Sequence, residues 1–184
     1  MSAKPRTVYE DFLAVPGIMV AEIINGTLRT QARPATPHAR ASSHLGGELY
    51  GPFERGRGGP GGWVLLDEPE LRLGGHILVP DLAGWRRERM PEMPDVPFIE
   101  ISPDWVCEVV SPSTAAMDRS EKMPIYAELG VIHAWLIDPI AQTLEAFALD
   151  RGAWRVLGIW HGHTGVRVSP FQSFELDLSA LWQR

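Results

Sequence analysis

The apolar positions of the chain change period several times, and each change marks an element. Thr7-Val8-Tyr9-Glu10 has the form of a capping box, and Val8, Phe12 and Leu13 follow at helical spacing. The pattern predicts a short helix to about Val15, stopped by Pro16-Gly17. MVAEII and TLRTQ, joined by Asn25-Gly26, form a strong hairpin signal, because both turn residues tolerate positive φ. On that hairpin Val20, Glu22 and Ile24 share one face, which sets a carboxylate among apolar neighbours, where it is costly unless paired. From Pro37, Leu45, Leu49 and Phe53 recur four apart and predict a helix with His38 near its start, weakened inside by Gly46-Gly47. RGRGGPGG, residues 55–62, lacks the Gly-Lys-Ser/Thr ending of a phosphate loop and reads as a surface loop.

Beyond it, WVLLD, ELRL and HILVPDLAGW are strand candidates, broken by Gly74-Gly75, and the polar RRERMPEMPDVP is an exposed loop. DWVCEVV is apolar nearly throughout and predicts a buried strand, ended by Ser-Pro-Ser-Thr. AAMDRSEKMPIYAELG has a helical pattern that Pro124 should kink or split. HAWLIDP, TLEAFAL and WRVLGIW then predict three successive strands, and FELDLSALW a last strand or short helix. No repeat and no linker interrupts this order. It predicts one α/β domain over residues 1–184, built around a central sheet.

Composition narrows the class. Apolar residues are 45% and charged residues 22% of the chain, which excludes intrinsic disorder. Cys107 is the only cysteine, so no disulfide scaffold forms within the chain. No apolar run reaches the ~18–20 residues of a membrane span. The N-terminus carries Glu10 and Asp11 where a signal peptide needs apolar residues, so a cytoplasmic location and no membrane partner are expected. The net charge of −6 argues against a tight DNA binder with a broad basic footprint. It leaves open an enzyme whose carboxylates surround a metal.

Two acids stand where an apolar residue would fit the pattern: Asp81, after Pro80 at the end of HILV, and Glu108, inside WVCEVV. Alone, each is also readable as a strand-end acid facing solvent, although the neighbours of Glu108 imply burial. On adjacent strands the two would require a cation between them, and oxygen donors suit Mg²⁺ or Mn²⁺ rather than zinc. His161-Gly162-His163 lacks a third ligand at zinc spacing, and Ser111 and Ser113 lack a nucleophile elbow. Cys107 reads as core, as do Trp63, Trp105 and Trp135. Trp85, after the Asp81 strand, is the tryptophan placed to stack on a base.

A Pro-Asp at a strand end, followed by an acid inside the next apolar strand, resembles the core of the PD-(D/E)xK nucleases. YEDFLAV, AEIINGTL, VPDLAGW, CEVVSPST, DRSEKMPIYAELGV and HAWLIDP, in that order from about residue 8 to 139, are similar to the Uma2 family of restriction-type endonucleases. The resemblance implies a restriction-endonuclease-like core, with a central mixed β-sheet flanked by helices. It also implies Mg²⁺- or Mn²⁺-dependent hydrolysis of DNA phosphodiester bonds. Carried over to this chain, Asp81 and Glu108 would bind the metal, with the carbonyl of Val109 as a further ligand.

The lysine expected two residues after Glu108 is absent, and Val110 stands there. Lys122, in the following helix, matches the family's lysine instead and would orient the attacking water. Asp118, Lys122 and Tyr126 share one helix face if the helix tolerates Pro124; the alternative is a solvated Lys122 paired with Asp118. Glu22 matches the family's N-terminal acid, and His38 matches a histidine there, though a place before a helix also suits capping. Analogy with nucleases of this architecture implies a homodimer. The competing reading is a non-catalytic module of the same fold that binds nucleic acid or protein, favoured by the acidic balance and by Val110. A third keeps the metal and takes RNA or a small phosphodiester as substrate.

Overall fold

Thr7 opens the first helix as the capping box requires: its hydroxyl accepts the Glu10 N–H, and the Glu10 carboxylate accepts the Thr7 N–H at 2.7 Å. The computed structural model describes residues 6–33 and 35–182. In it α1 (Val8–Leu13) ends at Ala14, before the expected Val15. β1 (Met19–Ile24) and β2 (Thr27–Ala32) form the hairpin, with Asn25 at φ 51° and Gly26 at φ 70°. α2 (Thr36–Leu49) continues through a π turn, Tyr50–Glu54, and buries Ala41, Leu45, Leu49 and Phe53. Gly46 has a packing reason. A Cβ there would lie 3.2 Å from both Asp67 Oδ1 and Leu82 Cδ2, so glycine lets the helix settle close on the strands.

The central strands are β3 (Trp63–Asp67), β4 (Leu71–Leu73), β5 (His76–Leu78), β6 (Leu82–Arg86) and β7 (Trp105–Val109). A helical run follows, made of α3 (Ala115–Met117), a π turn (Asp118–Lys122) and α4 (Met123–Glu128). The chain continues through β8 (His133–Asp138), β9 (Thr143–Asp150) and β10 (Ala153–His161). FELDLSALW supplies both elements weighed for it, β12 (Leu176–Asp177), which pairs with β11 (Gly165–Val166), and α5 (Ser179–Trp182).

Two main sheets result. The larger has the order β10-β9-β8-β7-β6-β3 and is antiparallel except for β7 and β8, which run parallel across the helical connection. The smaller has the order β2-β1-β5-β4. This mixed sheet flanked by helices is the expected architecture. HILVPDLAGW, however, is not one strand: β5 belongs to the small sheet and β6 to the large one. Pro80 lies at the crossing and has no N–H with which to extend a ladder.

Side-chain alternation on β7 assigns the two faces. Trp105, Cys107 and Val109 join the core under α2 and α5, while Val106 joins the core formed with α4 and the small sheet. Trp63, Trp105 and Trp135 are buried as expected. Trp85 is buried too, and its Nε1 donates to the Ile101 carbonyl at 2.8 Å, so it is core and offers no face for a base. Pro124 does not break the helix. The Met123 N–H reaches back to the Asp118 carbonyl, and this widened turn accommodates the ring ahead of it. Among the described residues, no helix is long and apolar enough to cross a membrane.

Gly84 tests how tightly the large sheet is filled. A Cβ there would lie 2.9 Å from Leu65 Cδ2 and 3.2 Å from the rings of both Trp63 and Trp105. Gly84→Ala is expected to lower stability by about 1–3 kcal/mol through overpacking, read from urea unfolding at unchanged m-value.

Candidate active site

Lys122 is the centre of the buried charge. Its ammonium lies 2.8 Å from Glu108 Oε1 and 3.0 Å from Glu22 Oε1, and it donates to the Val79 carbonyl at 3.4 Å. Exposure is 1% for both Lys122 and Glu22 and 3% for Glu108, which overturns the solvated reading of the lysine. Three elements bring them together: β1 carries Glu22, β7 carries Glu108 and the π turn carries Lys122. Glu22 Oε1 also accepts the Val79 N–H at 2.8 Å, and Glu108 Oε1 accepts the Tyr126 hydroxyl at 2.5 Å. Both carboxylates are thus held by Oε1. Their Oε2 atoms have no protein hydrogen bond among the described residues.

Asp81 enters from the start of β6. Its Oδ2 accepts the Val109 N–H at 2.7 Å, and its Oδ1 lies 3.2 Å from His38 Nε2. No side chain caps α2; His38 faces the acid instead. Continuing the β6–β7 register from Leu82↔Cys107 sets Val109 opposite Pro80. An extended residue points its N–H and C=O to the same edge, so Val109 offers a carbonyl toward a residue with no N–H to give.

Glu22, Asp81, Glu108, Lys122 and Val109 line one cleft of about 670 Å³, together with Asp118 and His38. The structure therefore gathers the proposed metal ligands, Lys122, Glu22 and His38 in one place, whereas Trp85 and the His161-Gly162-His163 turn lie outside it. Missed in the sequence were the two backbone groups of Val79, and Arg29 and Arg33 at the rim. The arginines had a signal, since Arg29 stands opposite Glu22 in the hairpin register and alternation returns Arg33 to that face; Val79 had none, because any residue supplies those atoms.

Burial and crowding set the protonation. Glu108 is pushed well above the ordinary carboxylate range by burial, with Asp118, Asp81 and Glu22 adding to the effect and Lys122 opposing it. Burial works against the Lys122 charge, but Glu108 and Glu22 outweigh it and hold the ammonium well above its ordinary range. The Tyr126 hydroxyl is raised by burial and then by Glu108, so it stays a donor. Burial also raises the Cys107 thiol, which fits a core residue and not a nucleophile. Asp118 is raised to about 6, mainly by burial.

Two carboxylates and a backbone carbonyl are donors of the kind Mg²⁺ and Mn²⁺ take, with water and phosphate completing the shell. The donor set fits such an ion on those terms. Among the described residues, no three His, Cys, Asp or Glu side chains are gathered as a ready cage.

Removing the lysine should expose the cost of the cluster. Lys122→Met is expected to lose about 3–5 kcal/mol at neutral pH, because two buried carboxylates are left facing each other. Adding Glu22→Gln and Glu108→Gln should recover most of it in chemical denaturation. The Asp118 carboxyl predicts a pH dependence. Between its ordinary 3.8 and about 6 the native state holds a proton that the unfolded chain has released. Its contribution is therefore full below 3.8 and lost as pH rises through about 6. Asp118→Asn should melt higher than wild type at pH 8, by about 1–3 kcal/mol, and the gap should close at pH 4.

The comparisons with known proteins bear on the fold and the family. No curated protein matches the chain. A crystal structure described as "a putative nuclease belonging to DUF820 from Anabaena variabilis ATCC 29413" superposes with a TM-score of 0.77 at 23% identity. The alignment covers 97% of this chain and 98% of that one, and at this identity the likeness shows the fold. The family model "Uma2: Putative restriction endonuclease" matches residues 9–180. With that match running over nearly its whole length, the chain belongs to the Uma2 family of restriction-endonuclease-like proteins, a membership that supports a nuclease-like function.

Proposed function

We propose that the protein is a metal-dependent endonuclease that hydrolyses phosphodiester bonds in DNA. The observation that carries the reading is the convergence of Glu22, Asp81, Glu108 and Lys122, from four separate segments, on one cleft. Buried ion pairs return little net stability, so burying several together without a chemical use is unrewarded. Family membership supports the same reading.

In this reading Asp81 and Glu108, with the Val109 carbonyl, hold Mg²⁺ or Mn²⁺. When bound, the ion supplies an acidified water and polarises the scissile phosphate. Tyr126 and Lys122 fix Glu108 through one oxygen, and the Val109 N–H fixes Asp81. Lys122 is held protonated by its two acids, orients the attacking water and offsets charge that grows on phosphate oxygens. The chain has two lysines against fifteen arginines. An ammonium at 122 is a compact point charge that fits between two carboxylates, where a guanidinium fork is broader. Glu22 positions Lys122 from the Val79 N–H. The reading takes residues 1–184 as one nuclease-like domain, working as a cytoplasmic homodimer.

A second reading, a non-catalytic module of the same fold, draws on one observation: Lys122 already neutralises Glu22 and Glu108. Calorimetric titration of Mn²⁺ separates the two. The nuclease reading expects saturable binding that is lost in Asp81→Ala and in Glu108→Ala. It also expects nicking of supercoiled DNA with Mn²⁺ or Mg²⁺, reduced by about 10²–10³-fold in the same variants. A folded wild type that binds no Mn²⁺ and leaves plasmid and single strands intact would favour the module.

A further inference from the structure

We propose that β2, the outer strand of the hairpin, is the rail along which a DNA strand lies, with Arg29 and Arg33 as its phosphate contacts; the inference rests on the nuclease reading above. The hairpin register sets Arg29 opposite Glu22 and Gln31 opposite Val20. Alternation along the strand therefore puts Arg29, Gln31 and Arg33 on the face of Glu22, and all three border the cleft. β2 is also the edge of its sheet. At ~3.3 Å per residue the two guanidinium side chains leave the strand roughly 13 Å apart, beside the buried cluster.

Both arginines already hold an oxyanion. Arg29 Nη2 donates to both oxygens of Glu121, at 3.1 and 3.0 Å, and Arg33 Nη1 donates to Glu68 at 3.1 Å. A carboxylate on a guanidinium occupies the place that a phosphate takes. The two pairs tie the strand to different elements. Glu121 stands on the helical run beside Lys122, and Glu68 stands in the turn after β3, at φ 45°, with its N–H on the Asp81 carbonyl. Neither pair is buried: the side chains are 44% and 29% exposed in the first and 58% and 40% in the second. Such pairs hold weakly, so exchange of carboxylate for phosphate costs little.

The other cluster of arginines is occupied with the fold. Arg87 pairs with Glu54, Arg89 pairs with Asp104 and Arg86 stacks 4.1 Å from the Trp63 ring, at the far end of β6 from Asp81. With a net charge of −6, binding of a polyanion depends on such a local strip, and Glu68 and Glu121 compete with it for the same two cations.

The test is fluorescence anisotropy with a labelled single-stranded DNA oligonucleotide, titrated at several salt concentrations without divalent metal, so that nothing is cleaved. Arg29→Gln with Arg33→Gln should make the plot of log affinity against log salt shallower by about 1.4, the value for two phosphates on a single strand. A fourfold rise in salt then costs the wild type about sevenfold more affinity than it costs the variant. Glu68→Gln with Glu121→Gln should do the opposite of a structural lesion and tighten binding at low salt, while Arg155→Gln on β10 changes neither. An unchanged slope in the arginine variant, or weaker binding in the acid variant, overturns the rail. Mn²⁺ calorimetry on the same proteins keeps the claims apart. A wild type that shows the slope but binds no Mn²⁺ sinks the metal reading and leaves the rail standing; an unchanged slope beside intact Mn²⁺ binding overturns the rail alone.

Discussion

The ammonium of Lys122, buried between Glu22 and Glu108, is the contact that sets the hairpin, the large sheet and the helical run relative to one another. Each of the three elements brings one charge, and none of those charges is tolerable alone in an apolar interior. Hydrophobic packing of the small sheet on the large one would permit sliding; the triad does not, because a shift of an ångström or two unpairs a buried carboxylate. Tyr126 and the N–H of Val79 complete the arrangement by engaging the same oxygens as the lysine. The second oxygens are left without a protein partner among the described residues, which is the condition for binding anything else.

Two prolines aim the site. Pro80 ends the small-sheet ladder, hands the chain to the large sheet and leaves Asp81 at the head of β6, where its side chain takes the Val109 N–H that a longer β6 would have paired. Pro124 forces the preceding turn to widen, and that π turn carries both Asp118 and Lys122 inward. In each case a residue that interrupts regular structure supplies the bend by which a charged side chain reaches the cleft.

The electrostatics of the cleft are graded from inside to rim. At the base Glu22 and Glu108 hold the one ammonium while Asp81 and Asp118 line the same cleft; burial first, and then the crowding of acids, raises the proton affinity of Glu108 and Asp118. At the rim Arg29 and Arg33 are exposed and paired to Glu121 and Glu68. A negatively charged chain can in this way present a basic edge without a basic surface. The overall charge of −6 does not show this local arrangement.

The order and type of the elements follow from local rules acting within a few residues, which is why the capping box, the Asn25-Gly26 hairpin, the buried β7 and the strands β8 to β10 are legible in the chain. Glu22, Glu108 and Asp81 were also visible, because an acid in an apolar pattern is a local anomaly; Lys122 stood out only through the family's spacing. What no local rule contained was the break at Pro80 between two sheets, the burial of Trp85, and the choice of Glu22 and Glu108 over Asp118 as partners of Lys122. Those were decided by contacts across the two sheets and the helix, where the alternative to pairing was an isolated buried charge. The sequence alone determined which residues had to find partners, and the tertiary structure determined which partners they found.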